Sequence, residues 1–237
     1  MSVEAVQLTE RQFQDMLVEL KSIPTYRSPI PGDIAVLCFR FMEDTGCRVT
    51  ETVHVKKKDI NFKTKILVVT HPKSEKKCKC SVWQYKDVYT RTMILIASDR
   101  NCLKCKGKGK WKKPQRTTFT NRISNDLSAY CDTLQDDDYL FPISRQSLWY
   151  WGKKAGVNAK IDIFQQKEER FIEGIFLHLF RSMCALRILR DAKLDNYKHE
   201  LVSCKLRHSE RIVTDRYTKI DINYLLGWES KVYNDPK

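Results

Sequence analysis

The chain is poor in the residues that interrupt regular structure, with 8 Gly and 7 Pro in 237 positions. That scarcity excludes a Gly/Pro-rich low-complexity polymer. The 10 Tyr, 10 Phe and 5 Trp exclude a chain too poor in apolar bulk to fold. No apolar run approaches the ~20 residues of a transmembrane helix. The segment Met1 to Glu10 lacks the basic start and apolar stretch of a secretory leader. A soluble, intracellular protein with no membrane partner is therefore expected. No internal repeat is visible, and the length suits one domain or one domain carrying an insertion.

Negative charge is scarce too, and unevenly so. Asp plus Glu is 29 against 43 Lys plus Arg, a net charge of +14. Between His54 and Arg116 there are 19 basic and 4 acidic residues; the remainder holds 24 and 25. One block thus carries the whole imbalance. Such a block concentrates polyanions and releases counterions on meeting phosphates. A solvated lysine-rich surface would account for the charge alone. The interleaved Trp83, Tyr85, Tyr89 and Trp111 favour contact with nucleic acid instead.

Nine cysteines in an intracellular chain read as thiols or metal ligands rather than disulfides. Cys38, Cys47, Cys131, Cys184 and Cys204 are scattered among apolar residues and read as small core side chains. The other four are paired, as Cys78-Lys79-Cys80 and Cys102-Leu103-Lys104-Cys105.

Thr9-Glu10-Arg11-Gln12 has the form of a capping box, followed at helical spacing by Phe13, Met16, Leu17 and Leu20. A second helix runs through Ile34, Leu37, Cys38 and Phe41 to Gly46, and a short one is expected in Val49 to Val55. Ile66 to Val69 and Met93 to Ala97 read as strands, and Lys104 to Lys113 as an exposed loop. Beyond Phe119 the pattern is helical: Ile123, Leu127 and Tyr130 share a face, Ser144 opens a helix with Leu148 and Trp151, and Phe171 to Leu189 reads as one long amphipathic segment. The expected architecture is mainly α with a small antiparallel β-sheet (α+β), interrupted by a basic, cysteine-rich β insert.

Four segments carry chemistry: Thr45-Gly46-Cys47-Arg48-Val49-Thr50-Glu51; His178-Leu179-Phe180-Arg181; Leu206-Arg207-His208; and Tyr217, nine residues after His208. Singly each is weak, since an isolated His is more often structural than catalytic. Together and in this order they resemble the catalytic domain of the tyrosine recombinases, the phage-type integrases. That family carries T-G-x-R-x-x-E, a strand hairpin with a lysine, H-x-x-R, then L-G-H with a tyrosine nine residues on. Lys58 to Phe62 leading into Ile66 to Val69 is similar to the family's helix-to-strand passage, and Asp138 to Pro142 with Ser144-Arg145-Gln146 to its middle loop and next helix. The resemblance covers about Leu8 to Trp228. It makes residues 1–237 one catalytic domain with residues 73–115 inserted in its hairpin, and without the family's N-terminal DNA-clamping domain. The family's Gly is Arg207 here.

The resemblance implies attack by the Tyr217 oxygen on a DNA phosphodiester, giving a 3′-phosphotyrosyl link and a free 5′-hydroxyl, with no catalytic cofactor. It makes Arg48 and Arg181 the bidentate clamp on the non-bridging oxygens, His178 a general base or orienting group, and His208 a further phosphate donor. The general acid would be the hairpin lysine. Lys73 lies on its first side and Lys110 and Lys112 on its second, the latter two being favoured because the run into Arg116 is more like the family's returning strand. The partner would be double-stranded DNA, bound by two or four protomers in synapsis, in the cytoplasm or nucleoid of a prokaryotic host and encoded by a virus, plasmid or other mobile element. Two other readings share these residues: a non-catalytic DNA-binding protein, and a relaxing enzyme of type IB topoisomerase chemistry. Separately, Cys78, Cys80, Cys102 and Cys105 have the pairing of a small zinc ribbon, in which a structural metal folds an insert too small for its own core.

Overall fold

The structure is a computed structural model that describes residues 8–23, 30–72, 75–87, 92–161, 164–167, 170–173, 177–192, 198–207 and 222–234. Helix α1 (Glu10–Ser22) begins as its sequence predicts: the Thr9 hydroxyl accepts from the Gln12 amide at 3.2 Å while the Gln12 side chain accepts from the Thr9 amide at 2.9 Å. Its buried stripe is Phe13, Met16, Leu17 and Leu20. Helix α2 (Gly32–Thr45) is buried along most of its length and ends at Gly46, in the left-handed conformation (φ +63°). A side chain there would also collide with Leu206, whose Cδ2 lies 2.5 Å from a Cβ built on Gly46. Glycine is required twice over.

The short helix α3 (Val49–Thr52) leads through a 3₁₀ turn at Lys57–Asp59 into β1 (Ile60–Asn61). A three-stranded antiparallel sheet, in the order β1, β2 (Ile66–Val69), β7 (Gln115–Thr118), pairs Ile66 with Thr118 and Val69 with Gln115. Leu67 and Val69 face the core. The chain between β2 and β7 holds two further antiparallel pairs. These are β3 (Lys76–Lys77) with β6 (Lys110–Trp111), and the hairpin β4 (Ser81–Asp87) with β5 (Thr92–Ser98). The stretch 104–113 is not wholly an exposed loop: Cys105 and Gly109 are buried and Lys110–Trp111 is a strand, because the chain folds back beneath the hairpin.

The rest is helical apart from one hairpin. Helices α4 (Asn121–Cys131) and α5 (Arg145–Asn158) are capped by Thr120 and Ser144. The reading of 171–189 as one helical segment is corrected: β8 (Phe164–Lys167) and β9 (Arg170–Glu173) form an antiparallel hairpin, and helix α6 (His178–Asp191) begins only afterwards. Phe171 and Ile172 stand in helical phase with Leu179, but their backbone is taken by cross-strand pairing with Gln166 and Gln165. Helices α7 (Lys198–Leu206) and α8 (Ile222–Glu229) follow, the latter running into a turn at Ser230–Asn234. The main core lies between α1, α2, α4, α5 and α6, with Phe180 packed on Phe13 and edge-on to Phe39 at centroid distances of 5.6 and 5.1 Å. A second apolar cluster (Cys184, Ile188, Ala192, Leu201, Leu206, Leu225) joins α6, α7 and α8.

Candidate phosphate-binding site and cysteine cluster

The run Thr45 to Glu51 folds as its chemistry dictates. Gly46 stops α2, Arg48 becomes the extended N-cap residue of α3, and Glu51 at the third helical position reaches back to accept the Arg48 amide at 2.8 Å. The same carboxylate accepts the Arg48 guanidinium (Nη1 to Oε1, 2.8 Å). The Thr45 hydroxyl, buried, donates to the Phe41 carbonyl and accepts the Cys47 amide, fixing the turn from inside.

Arg181, one turn into α6, is 3% exposed and crosses to this turn. Its guanidinium donates to the carbonyls of Gly46 and Leu206, tying the ends of α2 and α7 together. Arg207 completes the cluster, with Nη2 donating to Glu51 Oε2 at 2.6 Å and Nη1 to the Lys205 carbonyl at 3.3 Å. Three guanidinium groups and one carboxylate therefore share the space around the Gly46 turn. Burial, then the charges of Arg48 and Arg207, lower the Arg181 pKa to about 10. Burial works the other way on Glu51, but Arg207 and the Arg48 amide and guanidinium outweigh it and hold the carboxyl below its ordinary range. Glu51 belongs to the predicted motif, but its part in the site was legible only as a motif letter; Arg207 stood out in the sequence solely as a departure from glycine.

His178 opens α6 three residues before Arg181 and is exposed. Lys110 lies in β6, its ammonium 5.1 Å from the Trp83 ring centroid, and so belongs to the insert. Lys112 lies in the segment between β6 and β7. Its charge, after burial and His54, helps depress His71, which stacks on His54 at 4.7 Å just beyond α3. Lys73, His208 and Tyr217 lie outside the described residues, as does Tyr89 of the basic block.

In the insert, β3 and β6 bring Cys78 and Gly109 together (Cys78 amide to Gly109 carbonyl, 2.8 Å), and the β4–β5 hairpin sets Cys80 beside Ser98. The turn after β5 is laced by the Lys106 amide to the Cys102 carbonyl and the Lys108 amide to the Cys105 carbonyl. All four Sγ atoms consequently lie within 4.8 Å of one another, with Cys78–Cys102 at 3.6 Å and Cys80–Cys105 at 3.4 Å. Tetrahedral zinc with Zn–S near 2.3 Å requires S···S of about 3.8 Å, so the donor set and its spacing fit a structural zinc.

No known family's sequence pattern matches the chain, and no curated protein is similar to it in sequence. Solved structures are similar. XerA recombinase matches with a TM-score of 0.53 at 17% identity, over 100% of this chain and 65% of that one. The integrase of mycobacterium phage Brujita matches with a TM-score of 0.53 at 12% identity, over 98% and 59%. The Tn1549 transposon integrase, solved with circular intermediate DNA, matches with a TM-score of 0.51 at 12% identity, over 100% and 63%. The chain thus spans rather less than two thirds of these proteins' structures. Among the described residues no helix is long and apolar enough to cross a membrane. Helices α1 to α8, the β1–β2–β7 sheet and the likeness to recombinases and integrases together give this chain the fold of the tyrosine recombinase catalytic domain.

Proposed function

We propose that this chain is a DNA strand-transferase, cutting and rejoining duplex DNA through a 3′-phosphotyrosyl intermediate on Tyr217. The observation that carries the reading is the convergence of Arg48 and Arg181 on the Gly46 turn, where the charge of Arg48 reaches Arg181. Like charges brought this close and partly buried are stabilised by an anion, and a planar guanidinium fork suits a phosphodiester's non-bridging oxygens. Arg48 and Arg181 clamp the phosphorane-like transition state. The Tyr217 oxygen forms the new P–O bond while the bond to the 5′-oxygen breaks. His178 takes or orients the tyrosine proton, and His208 donates to the phosphate. Lys112 returns a proton to the departing 5′-oxygen. Its place beside the His54–His71 pair next to α3 supports it over Lys110, which is engaged over Trp83 in the insert; Lys73 is the other lysine of this hairpin.

The substrate is double-stranded DNA, engaged by two or four protomers. Zinc held by Cys78, Cys80, Cys102 and Cys105 would supply folding rather than chemistry, stabilising residues 73–115 as a basic appendage against DNA. Cation–π pairs of Lys77 and Lys110 on Trp83 and of Lys104 on Trp111 give that appendage a lysine-and-tryptophan surface of the kind that meets a nucleic-acid backbone. A nicked suicide duplex tests the reading: wild-type protein should become covalently attached, and Tyr217→Phe should abolish the adduct with DNA affinity nearly unchanged. Adduct at wild-type yield from Tyr217→Phe overturns the assignment. Comparing one-site with two-site DNA separates recombination from simple relaxation.

A further inference from the structure

Arg207 occupies a backbone position that penalises any residue with a Cβ, at φ +54°. Its side chain is nonetheless 3% exposed and held by Glu51 at 2.6 Å, the Lys205 carbonyl at 3.3 Å and the Cys47 sulfur at 3.8 Å. Its Nε is buried with no hydrogen-bond partner among the described residues. A buried arginine in left-handed backbone is a costly choice where glycine would fit without strain, so the guanidinium itself must be what the site uses.

The use follows from the balance of charge around Glu51. Oε2 accepts both the Arg48 amide and Arg207, and Oε1 accepts the Arg48 guanidinium. With glycine at 207, the buried carboxylate would keep Arg48 as its ion-pair partner, and the charge left uncancelled at the cluster would be that of Arg181. With Arg207 present, Glu51 is shared between two guanidinium groups, Arg48 at 2.8 Å and Arg207 at 2.6 Å, so the cluster keeps one more net positive charge. We propose that Arg207 is a positioning residue: by sharing Glu51 with Arg48 it leaves the Arg48–Arg181 cluster with the net positive charge that a phosphate requires. The inference rests on the reading of Arg48 and Arg181 as a phosphate clamp, but not on the cleavage chemistry.

The test is a double-mutant cycle on the full chain, with inorganic phosphate as the probe and binding read by thermal shift and calorimetry. Arg207→Gln should weaken phosphate about tenfold when Glu51 is present. In a Glu51→Gln background, where no carboxylate needs compensation, the same change should cost less than about threefold. Arg207→Lys, which keeps a charge beside Glu51, should hold phosphate binding within about threefold of wild type, a rescue by charge that a merely structural role of the guanidinium fork does not produce. It also serves if Arg207→Gln fails to fold. Equal reductions in both backgrounds, no reduction in either, or a wild-type chain that does not bind phosphate would each overturn the proposal. A chain that passes this cycle but forms no adduct on nicked DNA overturns strand transfer and leaves the role of Arg207 standing.

Discussion

In the helical body Phe13, Phe39, Phe41, Phe119, Phe141 and Phe180 are all fully buried, whereas in the insert Val82, Ile96 and Leu103 are 60, 53 and 93% exposed. The body has a core large enough to carry buried charge as well. Glu43 pairs with Arg187 at 2.9 Å, Asp44 accepts the Thr120 amide and hydroxyl, and Lys205, wholly buried, pairs with Glu229 at 2.5 Å while donating to Thr118. Those ionic and polar links join α2, α4, α6, α7 and α8 around the guanidinium cluster. Among the described residues the insert has no such interior. Its buried side chains include Cys78 and Cys105, and its strands pair with one another rather than with the body sheet, which they meet through the chain ends at β2 and β7. A segment of about forty residues does not bury enough apolar surface to stand alone, and the proposed zinc at the four cysteines would make up the difference.

That contrast can be broken most forcefully at the four cysteines, where a structural zinc is proposed. Structural zinc sites are worth roughly 10 kcal/mol or more to the segment they fold. Purified protein should contain about one zinc per chain, and chelation or Cys102→Ser should remove it and open residues 73–115 to proteolysis, with the body still melting cooperatively. Absence of metal from protein purified without chelator would count against the site.

Glu229→Ala should do the opposite. It leaves the buried Lys205 ammonium without its carboxylate, and breaking such a pair costs about 3–5 kcal/mol. The melting temperature of the body should fall steeply while zinc content stays constant. A decrease confined to a few tenths of a kcal/mol would mean that Asp44, whose charge also favours the ammonium, suffices alone.

Within the body, Arg48→Lys or Arg181→Lys keeps the charge but removes the fork. Cleavage of nicked DNA should drop by roughly 10² or more, about 2.7 kcal/mol of transition-state stabilisation, with smaller changes in affinity. The smallest effect belongs to the insert. Excising it should flatten log affinity against log salt by about 0.9 for each DNA phosphate that its lysines neutralise. An unchanged slope would assign the insert to contact with protein instead.

How far the sequence reached differs by residue. Thr9, Gly46, Thr120 and Ser144 announce helix ends because capping is satisfied within a few residues, and the paired cysteines announce a site because each pair's spacing is local. The same locality misled the reading of Phe171 to Leu189. An apolar repeat there is compatible with a helix, and only pairing with Gln165 and Gln166 makes β9 a strand.

The order of Arg48, His178, Arg181, His208 and Tyr217 in the chain, and hence the expected fold, was determined by the sequence alone. Which of those groups share a site was not. Arg181 reaches Gly46 across 135 residues and Arg207 reaches Glu51 across 156, separations over which no periodicity or propensity carries information. Tertiary packing decided that the glycine stop of α2, the first turn of α6 and the end of α7 meet at one point. There Gly46 leaves room for Leu206, and a single buried carboxylate must balance the guanidinium groups around it.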